Sequence, residues 1–180
     1  MTANTDKLFD DDCEHKKSQP LAAADSLRPV DIRRKAMDVL AGREHGYQEL
    51  FTKLHQKIAA RYELPIEQLQ AMIEQQLQLL VADNLQSDQR YVEAFINGRK
   101  AQGKGPLRIR QELEQKRVAG YLIEDNLHED DDQWLSLAER VYRKKFGSNA
   151  PKDYQEKSKR LRFMQYRGFG YQHLAGLIGV

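Results

Sequence analysis

The sequence predicts an all-α protein built from three tandem three-helix modules that stack into an elongated, curved helical-repeat array. Three observations carry that expectation. Beyond about residue 30, apolar residues recur at helical spacing and nowhere alternate as a half-buried strand would. Short motifs return along the chain. DNLQSD at Asp83 comes back as DNLHED at Asp125, and QEL at Gln48–Leu50 returns at Gln111–Leu113. QKRVAGY from Gln115 shares Gln, Arg, Gly and Tyr with QYRGFGY from Gln165. Finally, 31% charged and 40% hydrophobic residues, with a mean hydropathy of −0.77, suit helices around a modest core. Recurrence on this scale marks stacked units, each too small to bury its apolar face alone.

Residues 1–30 lack sustained periodicity and are expected to form a mobile tail. The first module, 31–87, opens with Asp31 as a helix cap, and Ile32, Ala36, Val39 and Leu40 share one face. A turn at Gly42–Gly46 leads to Tyr47, Leu50, Phe51 and Leu54. Pro65, placed in a first turn, opens a third helix with Ile66, Leu69, Ile73 and Leu77 inward. The second module, 88–129, contributes Val92, Phe95 and Ile96, then Ile109 and Leu113, then Val118, Leu122 and Ile123. The third, 130–180, begins with a capping-box spacing at Asp130 and Gln133. Trp134, Leu137, Ala138, Val141 and Tyr142 follow as a stripe. The same capping spacing recurs at Asp153 and Glu156 before Leu161 and Met164, and Phe169, Leu174, Leu177 and Ile178 complete the core.

Composition narrows the function classes. No run approaches the roughly 18 apolar residues of a membrane span, and the N-terminus lacks the apolar centre of a secretory signal. Lone Cys13 can form no internal disulfide and has no companion at zinc spacing. A cytoplasmic monomer with no membrane partner is expected. The net charge of +2 is unevenly laid out. Acids cluster at Asp10–Asp12 and Glu129–Asp132, whereas between Arg140 and Arg167 the acids are Asp153 and Glu156 alone. A region that basic suits an acidic partner or nucleic acid.

Gly98-x-x-x-x-Gly103-Lys104 matches a phosphate loop except that Gly105 stands where Ser or Thr should hold magnesium. The preceding segment has helical periodicity, and Pro106 removes an N–H from the anion cradle. The better reading is a corner between helices, with Gly103 left-handed at a helix end and Pro106 pre-set for the next first turn.

No catalytic constellation emerges, so a non-enzyme without metal or cofactor is expected. His15, His45, His55, His128 and His173 show no ligand spacing and are expected at surfaces or caps. The run Glu129–Asp132 suits a helix N-terminus better than a metal site. Tyr166, Phe169 and Tyr171, interleaved with Arg162 and Arg167, suggest base stacking, but a core Phe169 flanked by edge tyrosines is the simpler account.

GKGPLRIRQEL (Gly103–Leu113) resembles the signature of the RecX family, regulators of the RecA recombinase. DNLQSDQRYVEAFI (Asp83–Ile96), KKFG (Lys144–Gly147) and RFMQYRGFGYQHL (Arg162–Leu174) resemble other parts of the same pattern, in the same order. The similarity covers roughly residues 32–178. It implies three tandem three-helix modules, binding to the RecA filament, inhibition of its ATPase and strand exchange, a role in recombination, repair and the SOS response, and weak binding of single- or double-stranded DNA. Lys104 stands where an aromatic is common in the family, Arg117 where a helix-ending glycine is common, and Ile58–Pro65 lengthens the first module.

The basic residues expected to form a partner- or DNA-binding ridge are Arg99, Lys104, Arg108 and Arg110 from the second module, with Lys144, Lys145, Arg160, Arg162 and Arg167 from the third. Their role would be positioning by charge. The rival reading is a sequence-specific DNA-binding protein of helix-turn-helix type, with Arg110, Gln111 and Gln115 on the recognition helix.

Overall fold

The computed structural model describes residues 27–130 and 132–178. Most of the expected tail, with its acids and Cys13, lies outside them. Residues 27–30 already belong to the fold. Leu27 is buried, and the first helix starts at Pro29 rather than behind an Asp31 cap. Proline is pre-set for a first turn. Asp31 instead lies inside that turn, between Arg28 at 3.1 Å and Arg34 at 3.0 Å.

Among the described residues the architecture is all-helical. The first triplet comprises α1 (Pro29–Leu40), α2 (Tyr47–Ala59) and α3 (Ile66–Ala82). The second comprises α4 (Asp88–Ala101), α5 (Pro106–Gln115) and α6 (Gly120–Asn126). The last comprises α7 (Gln133–Phe146), α8 (Tyr154–Arg167), a 3-10 turn at Tyr171–His173 and α9 (Ala175–Ile178). The sequence repeats fall at equivalent places in this series. DNLQSD bridges α3 to α4, and DNLHED bridges α6 to α7. The QEL segments lie on the second helix of their triplets, with Leu50 and Leu113 both fully buried. QKRVAGY and QYRGFGY each carry the chain out of a second helix.

Helix ends explain several of these motifs. Asn84, Gly103, Arg117 and Gly168 have positive φ (55°, 71°, 58° and 93°) just past α3, α4, α5 and α8. At each end the next amide reaches back to an orphan carbonyl: Leu85 to Leu80, Lys104 to Arg99, Val118 to Leu113 and Phe169 to Met164. This is the Schellman arrangement, which favours glycine. Ser87 and Asp153 cap α4 and α8 by accepting from the amides of Arg90 and Glu156. The Glu156 carboxylate reaches back one residue further than a capping box would, to the Lys152 amide at 2.8 Å. The box expected at Asp130 and Gln133 does not form, because α7 starts at Gln133 itself and Asp132, its N-cap, makes no side-chain cap.

Two separate hydrophobic cores result. The first triplet buries its own, centred on Leu50, Leu54, Ile58, Ile73 and Leu77. The second and third share one, running from Tyr91 and Ile109 through Trp134 and Leu137 to Phe169 and Ile178. The expectation that every unit needs a neighbour therefore holds only for the later two. Helix length is the reason. The first triplet has helices of 13 and 17 residues where the second has 10 and 7, and so offers more apolar rows to enclose.

Most of the predicted stripe residues are buried or packed against these cores. Ile66 is 62% exposed instead, because Pro65 caps α3 and leaves the first helical residue outward. Of the histidines expected at surfaces or caps, His45 is buried without capping a helix, whereas His173 is buried and does cap its turn. His173 accepts from the Gly170 amide at 3.0 Å and donates to the Glu129 carbonyl at 2.9 Å, so its ring stitches the last turn to the α6–α7 connection. His45 lies between triplets, where its carbonyl accepts from Gln86. Burial lowers its pKa, followed in effect by the positive charge of Arg43.

A candidate partner-binding surface

The phosphate-loop pattern becomes a corner whose amides are all spoken for. Gly103 and Lys104 donate to Lys100 and Arg99, closing α4. Gly105 donates to the Arg167 carbonyl at 2.8 Å, and Leu107 to the Gly168 carbonyl at 3.1 Å. Gly105 and Gly168 thus meet backbone to backbone. A Cβ on Gly105 would come within 2.5 Å of the Gly168 carbonyl carbon, and one on Gly168 would strike Arg108. The amides of Gly103, Lys104 and Gly105, which a phosphate loop would turn toward its ligand, are thus all engaged within the protein. The glycines permit close approach, and through it the second and third triplets lock together.

This junction creates a cleft of about 330 Å³ between the α4–α5 corner, α7 and α8. Its apolar wall is Leu137, Val141 and Phe163. Around it stand Lys100, Arg140, Lys144, Lys145 and Arg167, and among the described residues no carboxylate lines it. Lys100, Lys144, Lys145 and Arg167 occupy the last turns of α4, α7 and α8. Cations there are favoured by the partial negative charge of a helix C-terminus, typically about 0.3–1 kcal/mol each. Arg140, in the middle of α7, has no such local reason. Lys100 lies over the Trp134 ring at 4.6 Å and bonds Gln133 at 2.9 Å. Arg167 bonds the Gln102 carbonyl at 3.0 Å and covers Phe163 at 5.2 Å. Arg140 and Lys144 are exposed.

The nine expected ridge residues separate into different environments. Lys144, Lys145 and Arg167 line this cleft. Arg99 and Arg108 converge on Glu112, at 2.5 Å and 2.9 Å. Burial pushes the Glu112 carboxyl up, but the hydrogen bonds and charges of these two guanidiniums prevail and hold it below the usual carboxylate range. Arg110 pairs with Glu129 at 2.6 Å, so of the three recognition-helix candidates Gln111 and Gln115 alone remain exposed and uncommitted. Arg160 is a correction. It is 4% exposed, bonding the Tyr142 hydroxyl at 2.8 Å, the Asn149 carbonyl at 2.7 Å and the Glu156 carboxylate, and it cannot face a partner. Lys104 is half-buried and Arg162 exposed. Phe169 is core, while Tyr166 and Tyr171 are exposed at its edge, with Arg108 5.7 Å above Tyr166.

Sequence reasoning missed Lys100 and Arg140. Arg140 was legible as the residue one turn before Lys144, beside Leu137 and Val141. Lys100 was not, since long-range pairings such as Gly105–Arg167 bring the end of α4 beside the third triplet.

Tandem three-helix units, two of them locked together at a glycine corner beside a cationic cleft, define a helical-repeat protein. Comparison with known proteins narrows the class. Residues 87–127 match the model of the RecX second three-helix domain, and residues 131–173 match that of the third. The chain is 39% identical over 150 residues to the regulatory protein RecX of Pseudomonas putida strain GB-1, covering 83% of this chain and 90% of the relative. It is 40% identical over 149 residues to that of Pseudomonas fluorescens, with 83% and 90% covered. Among solved structures, a crystal structure of regulatory protein RecX aligns with a TM-score of 0.66 at 19% identity, covering 83% of this chain and 72% of that one. RecX from Lactobacillus salivarius aligns with a TM-score of 0.63 at 18% identity, covering 82% and 92%. The chain belongs to the RecX family.

Proposed function

We propose that this chain binds filaments of the RecA recombinase and inhibits their ATPase and strand-exchange activities, thereby modulating recombination and repair. Family membership, with 39% identity across 83% of the chain, is the observation that supports this most directly. The physical means is charge and shape. A rigid pair of triplets presents cations at one junction, and a protein wedged along a filament restrains the subunit motions that ATP turnover needs. The chain acts by binding rather than catalysis, as a cytoplasmic monomer without a cofactor. Direct contact with single- or double-stranded DNA is weak and falls steeply with salt.

The test is to titrate the purified chain into recombinase assembled on single-stranded DNA and follow ATP hydrolysis. Hydrolysis is expected to fall with added chain, while the chain alone hydrolyses none. Unchanged turnover at saturating chain would overturn the reading.

A further inference from the structure

We propose that the cleft between the α4–α5 corner, α7 and α8 is the docking site for an acidic segment of the protein partner, anchored by one aliphatic or aromatic side chain. This names the surface by which the proposed partner is held, and so rests on the reading above.

The lining carries the argument. Among the described residues, five cations face the cleft and no carboxylate does, in a chain whose net charge is only +2. An occupant that brings negative charge complements this lining, above all at Arg140 and Lys144. Arg140 and Lys144 are one helical turn apart on α7, and neither makes a hydrogen bond or ion pair with a described residue. Their Cβ atoms lie about 5–6 Å apart, a separation that carboxylates near one another in a peptide can meet. The same cleft has an apolar wall of Leu137, Val141 and Phe163. Phosphates gain nothing from that wall, whereas a leucine or phenylalanine would bury against it. About 330 Å³ accommodates one or two side chains, in keeping with an anchor residue filling a pocket within a polar rim.

A nucleic acid strand is the competing occupant and fits less well. Sequence-tolerant strand binding uses open aromatic faces for bases. Phe163 already carries Arg167 at 5.2 Å and Lys145 at 5.9 Å, and meets Phe146 edge-on at 5.3 Å. The remaining wall is aliphatic.

The experiment uses the full chain and three fluorescein-labelled probes read by anisotropy. These are a short peptide with leucine and phenylalanine among aspartates and glutamates, the same peptide with both apolar residues changed to serine, and a thymidine oligonucleotide. The acidic anchored peptide is expected to bind. The double variant R140E/K144E should weaken it roughly tenfold or more, as reversal turns two attractions into repulsions. The milder R140Q/K144Q should weaken it by less, and the serine peptide should bind several-fold more weakly to the unaltered chain. Retained helical circular dichroism and Trp134 fluorescence establish that the variants are folded. Peptide binding that R140E/K144E leaves untouched overturns the proposal. So does an oligonucleotide that binds, is lost in the variant, and meets no competition from the peptide. ATP hydrolysis by the recombinase, followed in parallel, separates the two readings. A variant that loses the peptide yet inhibits like the unaltered chain defeats the docking site alone. An unaltered chain that never inhibits defeats the proposed function, whatever the peptide does.

Discussion

Two glycines of the phosphate-loop pattern should respond to the same substitution with opposite signs. Gly98 lies within α4, exposed, and a Cβ there meets nothing within 4 Å. Gly98→Ala removes the entropic penalty of a helical glycine and should stabilise by about 0.5–1 kcal/mol. Gly105 has an extended backbone, φ −85° and ψ 168°, that alanine adopts without strain. Its Cβ, however, would lie 2.5 Å from the Gly168 carbonyl carbon and 2.7 Å from the Phe169 nitrogen. Both are backbone atoms and cannot rotate aside. The corner must open, at risk to the Gly105–Arg167 and Leu107–Gly168 hydrogen bonds. Two such bonds are worth about 0.5–1.5 kcal/mol each, and overpacking adds about 1–3 kcal/mol. A loss of about 2–6 kcal/mol follows. With a urea slope of roughly 2 kcal/mol per molar, the midpoint should fall by about 1–3 M. Trp134, the sole tryptophan and 1% exposed in the shared core, is the fluorescent reporter. Equal midpoints for Gly105→Ala and the unaltered chain, or equal destabilisation by both alanines, would refute the backbone-contact account.

Other expectations follow from single contacts. Arg117 holds φ 58° where glycine is at ease. Because a left-handed L-residue costs about 1–2 kcal/mol and glycine gives back about 0.5–1 in chain entropy, Arg117→Gly should raise the urea midpoint slightly; a fall would contradict this. Arg160→Ala should cost about 2–3 kcal/mol by stranding Tyr142 and Asn149, whereas Arg162→Ala, two residues on and exposed, should change stability by less than about 0.5 kcal/mol. Glu112 has a depressed folded-state pKa. Its stabilisation is therefore full above the ordinary glutamate value of about 4.3 and is lost as pH falls through the folded-state value. The gap in urea midpoint between the unaltered chain and Glu112→Gln should accordingly close on acidification from about pH 5 toward 3.

Much of the fold was legible because a helix's apolar face is a local property. Trp134, Leu137, Ala138, Val141 and Tyr142 repeat every three or four residues, and the structure packs all five inward. Gly103 and Pro106 announced a helix end and a helix start for equally local reasons. Buried Tyr91, Gln86 and Leu127 were not legible, since each is enclosed by elements that the chain reaches only through its turns. The basic surface was legible as composition and not as geometry. Arg160 and Arg162 look alike in the sequence, but residues two apart on a helix point to nearly opposite sides. One is enclosed by Tyr142, Asn149 and Glu156 while the other meets water. Arg99, Arg108 and Arg110 read as available charges until folding brings Glu112 and Glu129 to them.

The sequence by itself determined the helices, several of their ends and the tandem order of the triplets, because those depend on residues within a few positions of one another. Tertiary structure alone decided that two triplets share a core and the first does not, and which cations line a cleft. Both outcomes depend on backbones as distant as Gly105 and Arg167 coming within hydrogen-bonding range, and no local spacing encodes that meeting.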